Sequence, residues 1–147
     1  MLTSPAAMAQ RLVRAKQKIR DARLRFEEPA LDELPQRLHA VLDAIYAAYG
    51  LGWDAGNGGE ESRTCHSIGM RDEALFLGGL VCQLLPQEPE AWGLLALMHF
   101  CESRTAARGD AMGCFIPLLE QDTALWNRSA INFAEQCLRR AAQMGSL

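Results

Sequence analysis

Apolar residues along this chain recur mostly at helical spacing. At 100° per residue, Met8, Leu12, Ala15, Ile19, Ala22 and Phe26 share one narrow stripe. Ser4 suits an N-cap and Pro5 the first helical position, so a helix is expected from Ser4 to about Phe26. The acidic, proline-bearing stretch "FEEPALDELP" then interrupts the pattern. A second helix is expected from Leu34 to Tyr49, with Leu34, Leu38, Val41, Leu42, Ile45 and Tyr49 inward and Gly50 and Gly52 as its stop. The segment "GLGWDAGNGGEESRT" has five glycines and no period, which predicts a loop. Further helices are expected from Ile68 to Leu85, from "PQEPEAW" to about Ala107, and from Thr123 to Met144. Residues Ala91 to Cys101 are apolar on nearly every side, which predicts a central buried helix. The last helix directs Trp126, Ala130, Phe133, Ala134, Cys137, Leu138 and Ala141 inward. Between the last two helices, "CFIPLL" can extend for a few residues, but Pro117 argues against a central strand. The expected fold is all-α: one N-terminal helix, then a bundle of about four helices.

Charge divides the chain more sharply than hydropathy does. From Arg11 to Arg25 there are seven Lys/Arg and one acid, a net +6, while the remaining residues carry −9. Composition shifts from basic to acidic near Glu27 to Asp32, which suggests two parts, residues 1–28 and 29–147. A charge run on a helix is often only a solvated face. Here the excess is nearly one-signed, and closely spaced like charges are easiest to justify when a polyanion meets them. A helix of this width fits the DNA major groove.

A chain of 147 residues buries roughly 68–70% of its unfolded surface, enough for a core without staples. Its longest apolar stretch is about half of the ~20 residues a bilayer span needs. Charge follows the small apolar start instead of preceding it, unlike a signal peptide. The five cysteines are odd in number and widely spread, so reduced thiols in a cytoplasmic protein are expected.

Candidate chemistry is sparse. His39, His66 and His99 show no H-E-x-x-H spacing, and C-x-x-C is absent. No catalytic residue, metal or cofactor is expected. Cys65 and His66 read as an incidental loop pair, and His99 as a core histidine bonded to backbone. Trp53 either packs back onto the body, the reading we favour, or offers a partner an exposed contact. Arg104 and Arg108 share a helix face, with Glu120 and Asp122 just beyond the connector. Two readings stay open for these four. They are ion pairs that tie the connector down, with Asp122 capping the last helix, or they line a pocket for a small anionic ligand beside Trp126.

The segment "TSPAAMAQRLVRAKQKIRDA" resembles the last helix of region 4 in bacterial sigma factors of the extracytoplasmic-function class. That helix is the recognition helix of a helix-turn-helix and reads the −35 promoter element. "LPQRLHAVLDAIYAAYG", "RDEALFLGGLVCQLLPQEPEAWGLLALM" and "PLLEQDTALWNRSAI" resemble the long C-terminal extension of one branch of that class. The extension is described as similar to tetratricopeptide repeats, and "EPEAW" resembles the start of one such unit. The resemblance runs from about Thr3 to Ala141. It implies the C-terminal portion of a sigma factor, without region 2 and without the first helices of region 4. It also implies helical hairpins in the body and, with the helical phase, a groove-facing set of Gln10, Arg11, Arg14 and Lys18. The implied partners are promoter DNA, the RNA polymerase core and a small regulatory protein similar to YCII-related proteins. No membrane partner is implied. Freed of its natural neighbour, the first helix can also pair with another copy through Met8, Leu12, Ile19 and Phe26. The alternative function is a small-molecule-sensing helical domain using Arg104, Arg108, Glu120 and Asp122.

Overall fold

The computed structural model describes residues 5–22, 29–30, 32–54, 65–110, 112 and 114–145. The chain divides into two compact units, Met1–Pro35 and Gln36–Leu147. It is all-α, as the periodicity predicts, with one isolated β-bridge among the described residues.

The first unit holds helix α1, Pro5–Asp21. The amide of Ala22 closes its last turn on the Lys18 carbonyl at 2.9 Å. Lys18 and Arg20 lie in that turn, where cations oppose the negative end of the helix dipole. The expected continuation to Phe26 falls on residues 23–28, which lie outside the described set. Of the proposed apolar seam, Ile19 and Ala22 are exposed. The side chains of Met8, Leu12, Ala15 and Phe26 lie outside the described residues.

Helix α2 covers Leu34–Asp54, from Gln36 on within the second unit, which also holds α3 Cys65–Leu84, α4 Pro89–Ser103 and α5 Arg128–Met144. Helix α2 outruns its expected stop by five residues. An interior glycine costs about 1 kcal/mol, but Tyr49 and Trp53 stack at 5.7 Å across the extra turn and hold Gly50 in the helix. Helix α3 ends before Pro86 as expected, and the Trp92 indole donates to the Pro86 carbonyl at 3.1 Å, closing the turn into α4. Pro89 occupies the start of α4, where its missing N–H costs nothing.

Helix α4 ends earlier than expected, at Ser103, and a 3₁₀ turn, Thr105–Ala107, follows. Residues 108–110 and 114–116 pair as a short hairpin in which the Ile116 amide donates to the Arg108 carbonyl at 2.8 Å. The Asp110 carboxylate closes its tip by accepting from the amides of Met112 and Cys114. Two more 3₁₀ turns, Leu118–Glu120 and Thr123–Leu125, lead to α5. That helix begins at Arg128, not Thr123. Its cap is Asn127, whose side-chain oxygen accepts from the Ser129 and Ala130 amides at 3.1 Å. The Asn127 amide donates to the Ser103 carbonyl at 2.8 Å, which ties the start of α5 to the end of α4.

The core joins Ile45 and Tyr49 of α2, Ala74 and Cys82 of α3, Ala91, Leu95, Ala96 and Met98 of α4, and Cys137 of α5. Helix α4 is central, as its composition predicts, although Leu97 on its outer edge is exposed. Helix α5 meets it through the small residues Ala134, Cys137 and Ala141. Phe133 and Leu138, expected inside, flank that stripe on either side and are exposed, since the close approach that alanines permit leaves no room for larger groups between the helices. The α3–α4 contact is equally tight: a Cβ on buried Gly78 would stand 2.7 Å from Met98 Cε, and Met98 is fully buried.

Gly78→Ala is therefore expected to destabilise the chain by about 1–3 kcal/mol through overpacking, despite its better helix propensity. Gly79, one residue on, has nothing within 4 Å of its Cβ position. Gly79→Ala is expected to be neutral, or to stabilise by up to about 1 kcal/mol. Paired urea denaturation of the two variants checks both signs.

Candidate functional site

Two sets of residues qualify, one in each unit. On α1, Gln10, Arg14 and Lys18 recur every four residues, and all three are exposed. The spacing places them along one face, about 12 Å from first to last at 1.5 Å per residue. Arg11 belongs to the same helix, and its side chain lies outside the described residues. Lys16 and Arg20 are exposed on the same helix. Its single acid, Asp21, accepts a 2.7 Å hydrogen bond from Gln17. The helix thus offers several extended cations and one amide to whatever meets it. Lysine and arginine suit phosphate oxygens, arginine also suits guanine, and glutamine suits adenine.

The second set centres on Glu102 in α4. The Tyr49 hydroxyl donates to Glu102 Oε1 at 2.8 Å and lies 3.2 Å from the Met98 carbonyl. Arg71 Nε stands 3.3 Å from the same Oε1, with both side chains mostly buried. One carboxylate therefore joins α2, α3 and α4. Burial, reinforced by the bond to Glu102, holds the Tyr49 phenol far above its ordinary range, so it stays a neutral donor. Burial also pushes the Cys82 thiol up to about 12, and Cys137 adds to the effect. The Cys137 thiol is itself raised, chiefly by burial. Such thiols are protonated and poor nucleophiles. Cys82, Cys101, Cys114 and Cys137 are all free.

The Arg104, Arg108, Glu120 and Asp122 group takes up separate tasks. Arg104 Nη2 lies 3.9 Å from Cys101 Sγ. The Arg108 guanidinium lies 3.6 Å above the Trp53 ring and 5.7 Å from the Phe115 ring, and Nη1 donates to the Trp53 carbonyl at 3.5 Å. Asp122 accepts from the Ala124 amide at 2.9 Å, so it caps the turn Thr123–Leu125 and not α5. A cap acts on the first amides that follow it, and five residues separate Asp122 from Arg128. Glu120 is exposed in its own short turn. Trp126 is half-buried, its indole N–H buried without a hydrogen-bond partner.

Trp53, expected in the loop, lies in the last turn of α2 and packs onto the body through Tyr49 and Arg108. Its position four residues after Tyr49 was the available signal. Tyr49, Arg71 and Glu102 were missed as a group, because nothing in their spacing links three helices. Cys65 and His66 open α3 instead of lying in the loop, and their side chains fall outside the described residues. His99 is half-buried, edge-on to Phe133 at 4.6 Å between ring centres. Among the described residues no group of three His, Cys, Asp or Glu is placed to hold a metal ion. No described helix is long and apolar enough to cross a membrane.

Residues 37–142 match a family model described as a family of unknown function, DUF6596. The chain is also 40% identical over 140 residues to an uncharacterized protein of Rhizobium meliloti (strain 1021). That similarity covers 95% of the chain, so it reaches into α1 as well, but only 32% of the relative. The chain thus spans about a third of the length of the curated relative it matches. No solved structure matches it.

Removing the shared carboxylate with Glu102→Ala leaves Arg71 an uncompensated charge. It is expected to cost about 3 kcal/mol, the low end for breaking a buried pair. Tyr49→Phe, which removes one hydrogen bond, is expected to cost about 1 kcal/mol. Chemical denaturation ranks the two. For His99, burial lowers the imidazole pKa in the folded chain. The unfolded chain then takes up the proton first as pH falls through its ordinary value, about 6.5. The His99 contribution is therefore complete above that value and is lost as pH falls toward the folded one. Across pH 7 to 5, His99→Gln is expected to show a shallower loss of stability than the parent, read from melting temperature against pH.

Proposed function

We propose, for a chain that belongs to the DUF6596 family, a part in transcription initiation, with α1 reading promoter DNA and the helical body regulating or docking proteins. The observation that carries this reading is the separation of charge. A window of +6 lies within the first 25 residues, and Gln10, Arg14 and Lys18 stand exposed along one face there. The remaining residues are net acidic, which disfavours a phosphate backbone there and favours α1 as the contact. Resemblance of the opening helix to the recognition helix of region 4 supports the same assignment. In the full-length protein the partners would be the −35 element and the RNA polymerase core, with a small regulatory protein on the body, all in the cytoplasm. The alternative, a small-molecule sensor at Arg104, Arg108, Glu120 and Asp122, has less support, since Trp53 already covers Arg108 and Asp122 already caps a turn.

For the 147-residue chain, DNA binding is expected to be weak, nonspecific and steep in salt. Four phosphate contacts at a slope of about −0.9 each reduce affinity roughly 150-fold between 50 and 200 mM salt. The double variant Arg14→Ala/Lys18→Ala is expected to flatten the slope by about 2. Fluorescence anisotropy with labelled duplexes measures both. Salt-independent binding, or nanomolar sequence-selective binding by this chain, would refute the proposal.

A further inference from the structure

We infer that the exposed face of α3 is a docking surface for a basic amphipathic helix of a protein partner. Phe76, Leu80 and Leu84 recur every four residues on one face of α3 and are 64%, 37% and 64% exposed. The opposite face carries Ala74, Gly78 and Cys82, all buried. Leu75, Leu77 and Val81 already pack partly buried against the core, so Phe76, Leu80 and Leu84 form a second apolar stripe that a helix needing only its own core would not carry. The stripe spans about 12 Å along the axis, two turns of a partner helix.

Charge selects the occupant. From residue 72 to residue 103 the chain carries five acids and no Lys or Arg. Asp72 and Glu73 are exposed just before the stripe, and Glu90 is exposed and Glu88 half-exposed just after it. Arg71, next to Asp72 in sequence, is turned to Glu102. Arg140 lies over Trp92 and acts on the Cys82 thiol, on the side of α3 away from the stripe. An apolar stripe with carboxylates at both ends repels phosphate, whether of nucleic acid or of anionic lipid. It matches a helix whose apolar residues lie at the same spacing and whose flanks carry Lys or Arg. This rests on the reading of the body as the protein-docking part of the chain and names the place where that happens.

The probe is a labelled synthetic 18-residue helix with leucines on one face and lysines on its flanks, set against the same peptide with glutamate for lysine. Fluorescence anisotropy on the full chain is expected to show the lysine peptide binding at least tenfold more tightly than the glutamate peptide. Phe76→Gln/Leu84→Gln is expected to weaken the lysine peptide at least tenfold. Asp72→Asn/Glu73→Gln, which leaves the stripe intact, should weaken it several-fold and reduce its salt dependence. Leu119→Gln, at an exposed leucine outside α3, should leave affinity unchanged. Equal binding of the two peptides, no binding of either, or a dimer that Phe76→Gln/Leu84→Gln dissociates would overturn the proposal. None of these readouts involves DNA. Peptide binding without DNA binding would sink the promoter-reading role of α1 alone, and the converse would sink only the α3 surface.

Discussion

A single carboxylate, Glu102, fixes how three helices of the body meet. The apolar core cannot do this by itself, because much of it is small. Ala74, Ala91 and Ala96 supply cohesion by burial, yet alanine against alanine slides at little cost. Hydrogen bonds have direction. Tyr49 from α2 donates to Glu102 Oε1 on α4, and Arg71 Nε from α3 lies 3.3 Å from the same oxygen as an ion pair without hydrogen-bond alignment, so a slip of α2 breaks a bond and a slip of α3 parts two mostly buried charges. Desolvating that charge is unfavourable by several kcal/mol, and only the converging donors make it tolerable. The pair therefore contributes register more than net stability, and the small residues then permit the close approach that register demands.

The same carboxylate organises the edge of the body. Tyr49 stacks on Trp53, Trp53 lies under Arg108, and Arg108 begins the hairpin that carries Phe115. A continuous path of ring and guanidinium planes leads from Glu102 out to residues 108–116. This explains why α2 runs through two glycines. Its final turn is held from outside by a cation over an indole, which outweighs the backbone entropy that glycine releases.

How much of this was legible in the sequence depended on whether the signal was local. The stripes of α1, α2 and α5 and the apolar run in α4 are local signals, and Pro86 marks the end of α3 because proline acts on its immediate neighbours. Residues 37–142 match the DUF6596 family model, a region that reaches into all four helices of the body. Asp122 and Asn127 are both good caps by composition, and only the intervening turn Thr123–Leu125 decides which of them starts α5. Tyr49 counted as one more apolar position, and no motif singled out Arg71 or Glu102. Their function emerges from a convergence across 31 residues of chain between Arg71 and Glu102 and more between Tyr49 and Glu102, which no periodic pattern encodes. Arginine 108 was noticed for its charge, but the structure uses its flat face.

Large side chains outside and small ones inside follow from the same constraint. Once Gly78 and Ala74 face α4, and Ala134 and Ala141 face it from the other side, Leu75, Leu77 and Val81 fit only partly buried beside the contact, and the close approach leaves no place inside for the remaining large residues. Phe76, Leu80 and Leu84, and more weakly Phe133 and Leu138, must then lie outward. Exposing several such groups weakens a lone domain, since each forgoes about 1.5–3 kcal/mol of burial. Under the docking proposed for α3, that burial is gained later, from another protein. The acid-only stretch around α3 favours groups of opposite charge, and the basic face of α1 favours anions. If both proposals hold, separating the two signs along one chain keeps each surface from competing for the other's partner.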